Sequence, residues 1–467
     1  MRERVELKGD TPCAMQGTST ACHDWKVLSG WMWSSEQNNN NNANYTNFPG
    51  GGTNNNNKNN GNTTVPFSEF DKTLELLLDA EEDCYQNKKS RTDACKVHFH
   101  LSEVVSLARE IHSGTYNPLG GICFILTYPV IREVFAARYR DRIVHHLVAP
   151  YVLAVTEAVH ESNGDVSHGN RKNHSAHTAA LSIQQRMQEN PDGYILKCDV
   201  RSFFMSIDRE KALQTFKMYE SMFRPKGYTD EQREFYMTLI RKLILSDATK
   251  GCELRSPIEL HNSVPFGKSL FTSGGKGFPI GNLYSQHLAN LYLAPIDSSL
   301  RAPHFVDDYG DVVRDAKAAN TERREFADLL EKQSLEAHPN KVYIQPVRHG
   351  VSFCGRVIYK DRLYISNRVV KACIGKVKSV KRADLETARD VMRSVNSYTG
   401  IMSHTRAFNI QKRIAGVVLE RFSEWLYFRN KSGHLVCTVK RKYTERYISN
   451  QQIKTLDNYV KSIQRCA

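Results

Sequence analysis

Two short apolar runs, far apart in the chain, each end in carboxylates, and no other feature limits so sharply what this sequence can fold into. The first is Lys197-Cys198-Asp199-Val200-Arg201-Ser202-Phe203-Phe204, where an apolar strand over Tyr194–Val200 delivers Asp199 directly into a turn. The second is Phe305-Val306-Asp307-Asp308, an apolar pair followed by paired carboxylates. Standing alone, an Asp-Asp pair reads as a solvated turn or cap. Brought together, the two places would bind two hard cations, because carboxylate oxygens suit Mg²⁺, with Mn²⁺ as a substitute. Nucleotide transfer needs that arrangement: one ion activates the attacking 3′ oxygen and the other stabilises the departing pyrophosphate.

Between the two acidic places lies Lys276-Gly277-Phe278-Pro279-Ile280-Gly281-Asn282-Leu283-Tyr284-Ser285-Gln286, a Gly/Pro turn opening into a helix. Its small residues let backbone approach a base or sugar closely, and the amides of a helix start face a polar ligand. Ser273-Gly274-Gly275-Lys276 is only a fragment of a phosphate loop and lacks the Gly-Lys-Ser/Thr ending. His145 and His146 are adjacent and point in different directions, which argues against shared chelation of one ion.

At 467 residues the chain exceeds what one core usually organises, so two or three packed subdomains are expected. Residues 1–65 differ from the rest. Their asparagine tracts, Asn38 to Asn42 and Asn54 to Asn57, sit among Gly50, Gly51, Gly52 and Gly61. Such a segment buries too little apolar surface to offset its ordering entropy and is expected to be a flexible leader. From Pro66 onward, helical spacing of Phe67, Phe70, Leu74, Leu77 and Leu78 marks the folded body. A second helix is expected around Leu101–Ile111, a strand at Ile122–Tyr128 and a long helix at Tyr139–His160. After the strand bearing Asp199 come helices at Glu231–Leu245 and Tyr284–Leu293, strands flanking Asp307, and a helix through Glu322–Leu335. Strands at Val342–Pro346 and Val351–Val357 lead to a hairpin through Arg362–Ile365, and the chain from about Arg368 reads as largely basic and helical. The fold class is therefore α+β, divided at about residue 366.

The 64 Lys and Arg residues against 50 Asp and Glu give a net charge of +14, which suits a phosphate-bearing partner. Eleven cysteines occur without a Cys-x-x-Cys pair or zinc-finger spacing, favouring reduced thiols over a disulfide framework. The opening MRERVELKGD carries no apolar signal segment, and no uninterrupted apolar run reaches the length of a membrane span. A cytoplasmic protein with no membrane partner is expected.

The order strand-Asp199, Gly/Pro helix opening, strand-Asp307-Asp308, Lys341 and the hairpin Ser352-Phe353-Cys354-Gly355 resembles the palm motifs of reverse transcriptases. The resemblance covers roughly Phe67 to Tyr427 and implies a right-hand polymerase fold, with fingers and palm over 66–366 and a helical thumb and tail over 367–467. It implies RNA-directed DNA synthesis, with Asp199, Val200, Asp307 and Asp308 as the metal-binding positions and Lys341 as a proton donor to pyrophosphate. Phe305 stands where the family has Tyr. Phe204 falls at the steric gate that crowds a ribose 2′-hydroxyl. Arg132 corresponds to an Arg that grips the incoming triphosphate, while Val130 replaces its usual Lys companion. Arg138, Arg140 and Arg142 resemble a template-contacting fingers segment. Arg171 and Lys172 resemble a further one, although the family's Gly-rich continuation is here Asn173-His174-Ser175-Ala176.

Ile280-Gly281, followed by Ser285-Gln286, is similar to the hallmark of reverse transcriptases of bacterial and phage diversity-generating retroelements. That similarity makes Ile280, Gly281 and Gln286 nucleotide-pocket residues and links Ile280 to error-prone copying of template adenines. It further implies a template RNA, a DNA or RNA primer, deoxynucleotides and a small basic accessory protein as partners. Trp31-Met32-Trp33-Ser34-Ser35 and the asparagine runs that follow resemble the variable stretch that such elements diversify. Two alternatives stay open: a retron-like, intron-type or phage-defence enzyme, and a non-catalytic RNA-binding scaffold on the same fold.

Overall fold

A computed structural model describes residues 70–444 except 87, 90, 128 and 129. The expected leader at 1–65, the start of the body at Phe67 and the tail beyond 444 lie outside the described residues. Helices α1 (Phe70–Gln86), α2 (Thr92–Phe99) and α3 (Ser102–His112) precede a hairpin of β1 (Ile122–Leu126) and β2 (Arg132–Ala136). The long α4 (Tyr139–Ser162) and α5 (Ala176–Glu189) then lead to β3 (Tyr194–Asp199). Next come α6 (Phe203–Ser206), α7 (Arg209–Met222), α8 (Asp230–Leu245), β4 (Glu253–Leu254) and α9 (Ile258–Asn262). Helix α10 (Leu283–Leu300) enters β5 (His304–Phe305) and β6 (Asp308–Val313), and α11 (Ala316–Lys332) returns to β7 (Tyr343–Pro346).

The α+β class holds. An antiparallel sheet of order β5-β6-β3-β7 forms the centre. Strand alternation sorts β3 between two cores. Leu196, Cys198 and the following Val200 enter a large core shared with α4, α8 and α10, while Ile195 enters another beneath α5 with Val312, Phe353 and Ile358. Lys197 and Asp199 follow Ile195 on that second face, towards the strand's end. A small sheet of β8 (Val351–Phe353), β9 (Arg356–Tyr359) and β10 (Arg362–Ile365) packs on α5 and closes this core.

A separate core, from Ile365 to Cys437, is built by α12 (Asn367–Ser379), α13 (Leu385–Met402) and α14 (Phe408–Phe422). To this largely helical end the structure adds a hairpin, β11 (Leu426–Lys431) and β12 (His434–Val439), packed against these helices. Ser432 and Gly433 both take positive φ, +51° and +85°, as a tight two-residue hairpin turn requires. Helix α10 runs past Pro295 to Leu300, beyond the expected end at Leu293. Tertiary burial overrides the local cost of the proline, since Leu291, Leu293, Ala294 and Ile296 are each at most 1% exposed. Helix α4 is long and apolar enough to cross a membrane by length and composition, yet 67% of that stretch is buried against the rest of the protein.

The extension of α10 places Asp297 under the central sheet. It is fully buried, lies 3.2 Å from His304 Nε2 and accepts the Tyr309 hydroxyl at 3.2 Å. His304 Nδ1 is 2.9 Å from the Val306 carbonyl, and its ring stacks on Tyr309 at 4.5 Å. Burial alone would lower the imidazole's pKa, but Asp297 and the Val306 carbonyl together hold it above the usual histidine value. Asp297→Ala strands His304 and Tyr309 in an apolar interior, and urea unfolding is expected to show a loss of about 3–5 kcal/mol.

Candidate active site

Pairing of β3 with β6 sets Asp199 directly opposite Asp308. The turn before Asp308 closes back on β3, because the Val200 amide donates to the Asp307 carbonyl at 3.2 Å. Val306 sits at φ +59°, a conformation that costs a β-branched residue energy and is sustained by the His304 contact beneath it. The three carboxylates foreseen in the sequence therefore meet at one end of the sheet, beside the backbone of Val200.

Their electrostatics are those of a cation site. Burial, then Asp308, then Asp199, push the Asp307 carboxyl up to about 7. Two lysines offset part of this repulsion. Lys341 Nζ lies 2.9 Å from both oxygens of Asp199, and Lys197 Nζ lies 3.4 Å from Asp308. Lys341 was foreseen at the site; Lys197 was not, although its place two residues before Asp199 put it on the same strand face. Lys197 also donates to the Ser352 carbonyl at 3.2 Å and lies over the Phe353 ring, tying β3 to β8. Cys354 approaches Asp308 from the same hairpin, with Sγ 4.0 Å from Oδ2. Hard oxygen donors on a partly buried, like-charged cluster fit a divalent ion such as Mg²⁺, with Asp199, Asp307 and Asp308 as its holders and Val200 alongside.

A second group of foreseen residues also converges. Phe204 and Ile280 pack in one cluster with Cys123, Phe135, Met205 and Leu270. The Phe278 amide donates to the Phe204 carbonyl at 2.7 Å, and the Phe135 amide donates to the Ile280 carbonyl at 2.8 Å. Gly281 is required where it stands: its φ is +114°, and a Cβ would lie 2.8 Å from the Phe135 carbonyl oxygen. Arg132 opens β2, the strand that carries Phe135. Gln286 is half-buried in the first turns of α10.

The basic residues divide. Arg138 is exposed at the start of α4 and donates to the Gly120 carbonyl at 3.0 Å. Arg142 is half-buried one turn later. Arg140 is committed to Glu110, at 2.7 and 3.1 Å. Arg171 corrects the expectation of a template contact. It is 6% exposed, and its guanidinium donates to Glu157, Asp165 and the Ser167 carbonyl at 2.8–3.2 Å. The loop folds beneath α4, so Arg171 braces the segment whose backbone bonds to His304, while its neighbour Lys172 remains exposed.

The chain matches no family model and no curated protein. Similar solved structures include apo telomerase from Candida tropicalis, at 10% identity and TM-score 0.42, covering 74% of this chain and 64% of that one. A form of it truncated from the C-terminal domain gives 10% identity and TM-score 0.40 over 53% of this chain and 55% of that chain. Telomerase from Candida albicans, solved in complex with a TWJ fragment of telomeric RNA, gives 8% and 0.40 over 78% and 64%. This chain thus spans 55 to 64% of the length of these three. Likenesses this distant carry no weight for activity, which has to be read from the site itself.

Because Asp307 is raised in the folded chain, its ionisation opposes folding, and the penalty grows as pH rises towards about 7 and persists above it. Asp307→Asn is expected to raise the melting temperature by about 2 °C or more above that pH without divalent ions. Millimolar Mg²⁺ is expected to stabilise the parent chain and not the variant, as differential scanning fluorimetry reads directly.

Proposed function

We propose that the chain is an RNA-directed DNA polymerase, with fingers and palm over 66–366 and a thumb over 367–467, working in the cytoplasm. The observation that carries this reading is the convergence of Asp199, Asp307 and Asp308, with Phe204, five residues on from Asp199, gathered into one cluster with Ile280. Two Mg²⁺ ions, or Mn²⁺ in their place, would supply activation of the primer's 3′ oxygen and stabilisation of the leaving pyrophosphate.

The chain's own residues do the rest. The β3–β6 register fixes the carboxylates before any substrate arrives, so little reorganisation is left for the reaction step. Lys341, half-exposed on Asp199, is the candidate proton donor to pyrophosphate. Phe204, held through its backbone by Phe278, crowds the sugar of an incoming nucleotide and favours deoxyribose. Arg132 supplies a guanidinium for the triphosphate. Arg138, Arg142 and Lys172 are the remaining candidates for template phosphates.

The finer reading is an enzyme of the diversity-generating type, copying a template-repeat RNA with errors at adenines and assisted by a small basic protein. Ile280 supports it: an aliphatic side chain in the nucleotide cluster offers no hydrogen bond with which to test base geometry.

Primer extension on an RNA template, with each nucleotide omitted in turn, tests both levels. Activity is expected with Mg²⁺, is expected to fall at least about a thousandfold in Asp307→Asn, and is expected to misincorporate chiefly opposite adenine. Ile280→Gln is expected to reduce that misincorporation. Phe204→Ala is expected to admit ribonucleotides about tenfold or more readily than the parent. Extension that survives Asp307→Asn would sink the catalytic assignment.

A further inference from the structure

The segment between α8 and α10 carries four strongly exposed apolar side chains, Leu254, Ile258, Phe266 and Phe271. Phe266 is the extreme case at 93% exposure. It stands at the apex of a built turn: the Lys268 amide donates to the Pro265 carbonyl at 2.9 Å, and Gly267 supplies the positive φ, +75°, that such a turn needs at its third position. The next residues anchor the turn to β2. Buried Glu133 accepts the Ser269 hydroxyl at 2.6 Å and the Leu270 amide at 2.7 Å. Leu270 enters the cluster that holds Phe204 and Ile280. A fully solvated phenyl ring is thus held on a short, rigid arm beside the nucleotide cluster.

The surrounding charge indicates the occupant. Lys250, Arg255, Lys268 and Lys276 are exposed along the segment against Glu253 and Glu259, and Arg255 is paired with Glu253. Lys268 and Lys276 have no carboxylate partner among the described residues. An aromatic face interleaved with unpaired cations suits stacked bases on a phosphate backbone.

We propose that the Pro265–Lys268 turn is a stacking contact for the single-stranded template: Phe266 supports an unpaired base ahead of the nascent pair, and Lys268 and Lys276 track its phosphates. This rests on the polymerase reading for the identity of the strand, but its test needs no turnover. Fluorescence anisotropy without divalent ions compares a primer–RNA duplex bearing a 5′ single-stranded template extension with the same duplex made blunt.

Phe266→Ala is expected to weaken binding of the extended form about 5- to 100-fold, Phe266→Trp to restore it, and both to leave the blunt form unchanged. Equal affinity of Phe266→Ala and the parent for the extended form overturns the proposal. So does an equal loss on both forms, or a loss of self-association with template binding intact, which would make the turn a protein contact. If the extended form is bound through Phe266 yet no primer is ever elongated, the stacking contact stands and the polymerase reading fails.

Discussion

The register between β3 and β6 is the constraint on which the rest of this molecule depends. Shifting it by one residue would turn Asp199 to the opposite face of the sheet and leave Asp308 facing an apolar neighbour. The register is held from both sides. Leu196, Cys198 and Val200 fill one core and Ile195 the other, so a slip would pull the first set out of its core and drive Lys197 and Asp199 into it. Apolar burial therefore specifies the placement of charged groups that would otherwise repel each other.

Keeping three carboxylates together without a bound cation costs free energy, and the fold meets that cost locally. Lys341 and Lys197 each lie against one acid, and His304, whose pKa Asp297 holds above the usual histidine value, underlies the strained Val306 turn. Arg171 holds the segment to which His304 is hydrogen-bonded. These groups form a connected path from α4 to the Asp307 turn. Arg171, His304 and Asp297 are buried polar groups with partners, so removing one leaves the next unsatisfied in the interior.

Much of this was legible in the sequence, for a physical reason. Strands such as Tyr194–Val200 announce themselves by apolar runs, and carboxylates at their ends are visible because acids interrupt those runs. The convergence of Phe204 with Ile280 was likewise implied by their motifs. What escaped was tertiary. Arg171 reads as a loop cation, since nothing nearby in sequence says that Glu157 and Asp165 will enclose it. The continuation of α10 past Pro295 was hidden by a local rule that burial overrode. The β11–β12 hairpin, in contrast, was readable: the apolar runs Leu426-Tyr427-Phe428 and Leu435-Val436-Cys437 flank a Ser-Gly turn, a signal outweighed by the helical pattern before it.

The central claim is that Asp199 and Asp307 share divalent ions beside a primer terminus. A crystal of the chain with primer, RNA template, a deoxynucleotide and Mn²⁺, read by anomalous scattering, tests it most directly. The account predicts manganese peaks between the two carboxylates, about 2.1–2.3 Å from their oxygens, with Lys341 displaced from Asp199. Nucleotide bound elsewhere, or Lys341 still seated on Asp199 with no manganese between the acids, would contradict it.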